Sequence, residues 1–144
     1  MAPARIICIA GLAGMAYCHA RDLGAKTDEH VYYMAALFCC NVAASVGLIP
    51  LVAVADRVSR PIARGTWMTA AALAAATIAG FLWSRTIGLP QMRDHIGQWE
   101  TLGVASLACE TLVLLVAVPS LVQLRRDPLS AGTTARRVRT LAAR

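Results

Sequence analysis

Residues 101–124 read TLGVASLACETLVLLVAVPSLVQL, a run that holds one acid, Glu110, and no base. Crossing about 30 Å of hydrocarbon takes about 20 helical residues, so this stretch is long enough to span a bilayer with its acid inside. Working outward, three more apolar runs appear: an alanine-rich one at 66–84, a nearly uninterrupted one at 31–55, and a shorter one at 6–20. Backbone amides and carbonyls cannot stay unpaired in lipid, so four spanning runs of this length mean four helices and exclude strands. The expected fold class is all-α, an integral membrane four-helix bundle over 1–124. Its helices lie at about 6–20, 31–55, 66–84 and 101–124, followed by a basic cytoplasmic tail at 125–144.

Composition points the same way. Of 144 residues 58% are hydrophobic and 15% charged, whereas a soluble domain carries about 25% charged residues. This argues against a disulfide-stapled secreted module, a disordered tail or a nucleic-acid-binding domain, despite a net charge of +6. The bases fall unevenly about the four runs. Arg5, Arg57, Arg60, Arg64, Arg125, Arg126, Arg136, Arg137, Arg139 and Arg144 lie on one side, and Arg21, Lys26, Arg85 and Arg93 on the other. Basic residues stay cytoplasmic, so both termini are expected inside (N-in/C-in), in a multi-pass membrane protein. The inner arginines should meet anionic lipid at the cytoplasmic face. Arg5 followed by 6–16 also resembles an export leader, but Cys18-His19-Ala20 is a poor cleavage site, and a retained helix is expected.

Helices in lipid associate through small residues that let backbones approach. Ala10, Gly14 and Cys18 supply such a ladder in the first helix, Ala43 and Gly47 in the second, and Ala72, Ala76 and Gly80 in the third; intramolecular packing is expected of them, with dimerisation as the alternative. Trp67 and Trp83 are expected at the two interfaces of the third helix, and Pro50 and Pro119 should loosen the inner ends of the second and fourth.

Each ionisable group at depth needs a reason. Glu110, Asn41 and Thr77 fall in one layer by helical rise, forming a buried polar set in which Glu110 acts as a proton acceptor, ion ligand or counter-charge, or else as glue hydrogen-bonded to Asn41 or Thr77. Arg85, closing the third helix, either snorkels to outer headgroups or turns inward to a loop ion pair with Glu100 or Asp94.

His19, His30 and His95 all fall on the outer side, with Asp22, Asp28, Glu29, Asp94, Glu100, Cys18 and Met92. Imidazole, carboxylate and sulfur together suit a transition metal such as copper or zinc, so the three histidines are candidate metal ligands. Their spacing matches no metal motif, interfacial histidines also act as plain hydrogen-bonding caps, and the cofactor stays unknown. The five cysteines read as structural thiols. No nucleophile elbow, phosphate-cradling loop or zincin helix occurs, so catalytic residues are not expected.

The turn Ser84-Arg85-Thr86-Ile87-Gly88-Leu89-Pro90 resembles that of a group of small, uncharacterised four-span integral membrane proteins, mainly actinobacterial. Members share a histidine after the first helix, an acidic, histidine-containing start to the second, the Ser-Arg-Thr-x-Gly-x-Pro turn, and an acid in the fourth. Here the matching residues are His19, Glu29 with His30, 84–90, and Glu110, over roughly 17–124. The loop at 21–28 departs from the group's more regular pattern. The resemblance implies no activity; it ranks His19, His30, Arg85 and Glu110 above other polar residues.

Three functions remain open from the sequence. The leading one is a non-catalytic accessory or scaffold subunit of a larger inner-membrane complex. The others are an outer-side metal- or cofactor-binding membrane protein, and ion or proton passage involving Glu110.

Overall fold

The computed structural model describes residues 2–28, 30–91 and 93–126. Most of the expected basic tail, 127–144, lies outside the described residues, as do Glu29 and Met92. Four helices follow in order: α1 (Ala2–Asp28), α2 (Tyr32–Ala53), α3 (Arg60–Thr86) and α4 (Thr101–Arg126), with no strand among the described residues. Each is long and apolar enough to cross a membrane. The shortest, with 22 residues, reaches about 33 Å at 1.5 Å per residue. The expected all-α four-helix bundle is the fold observed.

Two boundaries differ from the hydropathy reading. α1 does not end at residue 20 but runs on to Asp28. The apolar run stops at Arg21, but the helix does not, because Asp22 and Lys26 at i, i+4 favour helical continuation. α3 starts at Arg60 rather than residue 66, with Pro61 in the first turn, where its missing N–H costs nothing.

The helices form an up-and-down ring in which α1 packs on α2 and α4, and α3 packs on α4, while α2 and α3 are the loosest neighbours. The α1–α4 seam needs its glycines. A Cβ on Gly11 would lie 2.8 Å from Val113 Cγ2, and one on Gly14 2.6 Å from Cys109 Sγ. The other small-residue ladders do not pack this way. Ala43, Gly47, Ala72, Ala76 and Gly80 are exposed, and a Cβ on Gly47 or Gly80 meets nothing within 4 Å.

The closely packed core fills the inner half of the bundle. Cys8, Leu12 and Met15 of α1 meet Leu48 and Val52 of α2, Trp67, Ala70 and Ala74 of α3, and Val113 and Ala117 of α4. Trp67 is 2% exposed and belongs to this core, not to an interface; Trp83 is 55% exposed. The indole at position 67 fills space that the neighbouring alanines leave open. At the inner end Arg5 pairs with Asp56 and donates to the Ala53 carbonyl at 2.9 Å, tying α1 to the end of α2.

The α3–α4 connection is more elaborate. The Ile87 and Gly88 amides both donate to the Trp83 carbonyl, and Gly88 takes the left-handed φ of 87° that closes a helix without a Cβ penalty. Arg93–His95 then form a single 3-10 turn, and the Gly97 amide returns to the Arg85 carbonyl at 2.9 Å.

Candidate functional site

The sparse contact between α2 and α3 leaves a cavity of about 480 Å³ in the outer half of the bundle, lined by all four helices. Leu37 and Cys40 of α2 and Ala76 and Gly80 of α3 line it while also facing outward. The cavity therefore opens sideways between these two helices, towards the hydrocarbon that surrounds a spanning bundle.

Its floor is a polar layer. His19 lies nine residues before Asp28, Asn41 nine after Tyr32, Thr77 nine before Thr86 and Glu110 nine after Thr101. At 1.5 Å per residue all four sit ~13 Å inside the outer ends of their helices. The layer has two halves. On α2 and α3, Asn41 Nδ2 donates to Thr77 Oγ1 at 2.8 Å, while Ser45 Oγ donates to Asn41 Oδ1 at 3.3 Å. On α1 and α4, Ser106 Oγ donates to Glu110 Oε1 at 2.8 Å, and His19 Nε2 lies 3.4 Å from the same oxygen. Glu110 thus bonds to neither Asn41 nor Thr77; those two satisfy each other across the loose α2–α3 side.

Glu110 is 1% exposed, and its second oxygen, Oε2, has no hydrogen-bond partner among the described residues. A buried polar atom left unpaired costs about 1–3 kcal/mol, so such atoms call for an explanation.

The second unpaired atom lies above. Arg85 turns inward rather than snorkelling and is 6% exposed. Its Nη2 lies 3.3 Å from Glu100 Oε2, and Nη1 donates to the His95 carbonyl at 3.4 Å. The guanidinium carbon sits 5.1 Å over the Phe81 ring. Arg85 Nε has no hydrogen-bond partner among the described residues. Asp22 and Lys26 of α1 complete the rim.

The three histidines do not converge. His19 is carried down to Glu110 by the length of α1. His30, at a left-handed φ of 59° in the connection to α2, places Nδ1 2.8 Å from the Tyr32 hydroxyl. His95 places Nδ1 3.2 Å from Glu100 Oε1. Among the described residues no group of three His, Cys, Asp or Glu side chains could hold a metal ion. The metal set of His19, His30 and His95 expected from the sequence is therefore not assembled, because α1 places His19 a helix turn or more below the other two.

No protein family, curated protein or solved structure matches the chain.

Chemically, the arrangement is a hydrophobic slot with a polar end. Its walls are mainly aliphatic and aromatic, and its few convergent polar groups are fixed by bonds to the protein, which is how small-molecule sites are built. Sequence reasoning missed Ser106, and it read Asp22 only as one of the outer acids and Lys26 only as one of the outer bases, not as a pair on the cavity rim. Ser106 stands one turn before Glu110 on the same face, so the i, i+4 spacing was the available signal. For Asp22 and Lys26 it was their own i, i+4 pairing.

Proposed function

We propose that this chain is a membrane-embedded binding protein for a small amphipathic molecule, taken from the outer half of the bilayer through the opening between α2 and α3. The observation that carries this reading is the cavity of about 480 Å³ whose lining includes two buried residues with unpaired polar atoms, Glu110 with Oε2 and Arg85 with Nε. An apolar tail satisfies the walls, and a polar head meets the polar side chains of the lining, Asp22, Lys26, Asn41 and Thr77 among them. The volume lies within the range of about 300–1,000 Å³ common to ligand pockets.

Both termini lie inside on the balance of basic residues, and the resemblance of the 84–90 turn to that of actinobacterial proteins favours a bacterial inner (cell) membrane. Arg57, Arg60, Arg64, Arg125 and Arg126 are exposed at the inner end, suited to anionic lipid.

The test is direct. The full chain, purified into lipid nanodiscs, is extracted with organic solvent and the extract compared by mass spectrometry with empty nanodiscs. A small molecule retained near one per chain is expected; an extract identical to the bulk lipid overturns the reading.

A second reading, an accessory subunit of a larger membrane complex, is supported by the exposed small residues Gly65, Thr69, Ala72, Ala76 and Gly80 along α3, which would let a partner helix approach closely. Replacing Ala72 and Thr69 by leucine would then release a co-purifying partner.

Ion or proton passage has less support. Beneath Glu110 the core of Leu12, Met15, Val113 and Ala117 is apolar, and the buried hydroxyls there are taken up locally, Thr66 by the Ile62 carbonyl and Ser120 by the Val116 carbonyl.

A further inference from the structure

We infer that the inner end of the bundle holds one defined site for an anionic glycerophospholipid, in the groove between the start of α3 and the end of α4. This goes beyond a general attraction of the inner arginines for anionic lipid. It also stands apart from the outer cavity, so either assignment can fail alone. Three observations carry it.

The first is a second cavity. About 400 Å³ lies at the inner end, lined by Arg60, Pro61, Arg64, Gly65 and Met68 of α3 and Leu124 of α4. Arg60 and Arg64 stand at i, i+4, so they share a face of the helix with Cβ atoms about 5–6 Å apart. Two guanidinium groups that close can both fork onto one phosphate, a planar recognition that ammonium groups do not provide. Gly65 keeps the groove open, since a Cβ there would meet nothing within 4 Å.

The second is depth. Arg60 begins α3, Arg64 lies four residues further in and Met68 eight, which places the last two ~6 Å and ~12 Å from the inner end. Across the groove, Leu124 lies two residues before the end of α4. The groove therefore runs along α3 from a charged mouth to an apolar end, the order in which a lipid presents its phosphate, glycerol and chains. An inorganic phosphate would leave the exposed Met68 uncovered. An acidic protein segment would have to enter hydrocarbon to reach it.

The third is charge. Among the described residues the inner end carries Arg5, Arg57, Arg60, Arg64, Arg125 and Arg126 against a single acid, Asp56, and Asp56 is held by Arg5. The lining of the groove includes no acid, in contrast to the outer cavity with Asp22 and Glu110. Basic pockets between helices on the cytoplasmic side suit anionic head groups. A zwitterionic head would bring its own ammonium group against the same arginines.

The experiment uses the full chain in non-ionic detergent, with dioleoyl phosphatidylglycerol, dioleoyl phosphatidylcholine and inorganic phosphate as probes and native mass spectrometry to count adducts. Expected is a first phosphatidylglycerol adduct that saturates near one per chain and is weakened tenfold or more by Arg64→Gln and by Gly65→Leu. Arg57→Gln and Arg126→Gln, which remove the same charge at the same end but outside the groove, should change it less than twofold. Gly65→Leu fills the groove without altering charge, and because glycine is a poor helix former it keeps the test decisive if Arg64→Gln does not fold. Equal weakening by all three arginine variants, or adducts that accumulate without saturating, overturns the site in favour of diffuse attraction. Native binding by either groove variant overturns the place assigned. Equal uptake of phosphatidylcholine overturns selection by charge, and displacement of the lipid by inorganic phosphate overturns the lipid in favour of the free ion. Absence of any phosphatidylglycerol adduct overturns the whole inference and leaves the outer cavity untouched.

Discussion

Glu110 and His19, on α4 and α1, meet with Oε1 3.4 Å from Nε2, ~13 Å inside the bundle. Ser106 holds the same oxygen at 2.8 Å, so one carboxylate oxygen takes both internal partners and the other has none among the described residues. Glu110→Leu removes the acceptor they share, leaving Ser106 and His19 only their mutual contact at 3.4 Å, and should lower stability by about 1–3 kcal/mol. Glu110→Gln keeps an oxygen for Ser106 and should cost less than half as much. Thermal melting of the purified protein in one detergent checks the order, and equal losses would refute the bonding described.

The glycines should divide by position. Gly14→Val drives a side chain into Cys109 Sγ, and Gly11→Val into Val113. Overpacking of this kind costs about 1–3 kcal/mol. Gly47→Val meets nothing within 4 Å and should leave melting nearly unchanged. A destabilised Gly47→Val would mean that α2 packs against something through that face.

Much of this architecture was legible in the sequence because it depends on length and hydropathy. The depth of Glu110, Asn41 and Thr77 followed from counting residues along apolar runs. His19 was misplaced because the same counting ends a helix at its first charges, whereas Arg21, Asp22 and Lys26 continue α1 along the rim. The pairing within the layer was not legible either. Which of several polar groups at one depth bond together depends on helix rotation and on the loose α2–α3 side, and neither leaves a mark on hydropathy. Arg85 with Glu100 could be foreseen, since a short connection brings them to the same end of the bundle.

The turn after α3 makes a separate claim. Gly88 adopts a φ of 87°, and a Cβ there would lie 3.0 Å from Ile96 Cδ1. Gly88→Ala should therefore cost about 1–2 kcal/mol, since left-handed backbone is penalised by that much in L-residues. Because this turn carries Arg85 into its place, proteolysis in the 87–100 connection should also accelerate. An unchanged melting point and cleavage rate would contradict the geometry.

Transport through the bundle is testable by the same acid. Liposomes holding the native chain should show proton flux equal to protein-free liposomes, and Glu110→Gln should match both, because the apolar core below the polar layer is closed. A flux that requires Glu110, read with a trapped pH dye, would reverse this expectation.

Gly80 offers the sharpest separation of binding from folding. It lines the cavity at the opening between α2 and α3, is exposed, and has open space where a Cβ would be. Glycine within a helix is less favourable than other residues by up to about 1 kcal/mol, so Gly80→Leu should leave stability unchanged or raise it by up to that amount. The same isobutyl group would stand in the opening and block access from lipid. The expected result is a protein that melts no lower than the native one yet retains little extractable small molecule. A variant that is stable and still loaded would place the access route elsewhere, between α1 and α2 or through the outer rim at Asp22 and Lys26. Reduced stability would instead show that Gly80 lies against a neighbour in the assembled state, as the accessory-subunit reading requires. The two proposed functions thus predict opposite signs for one substitution.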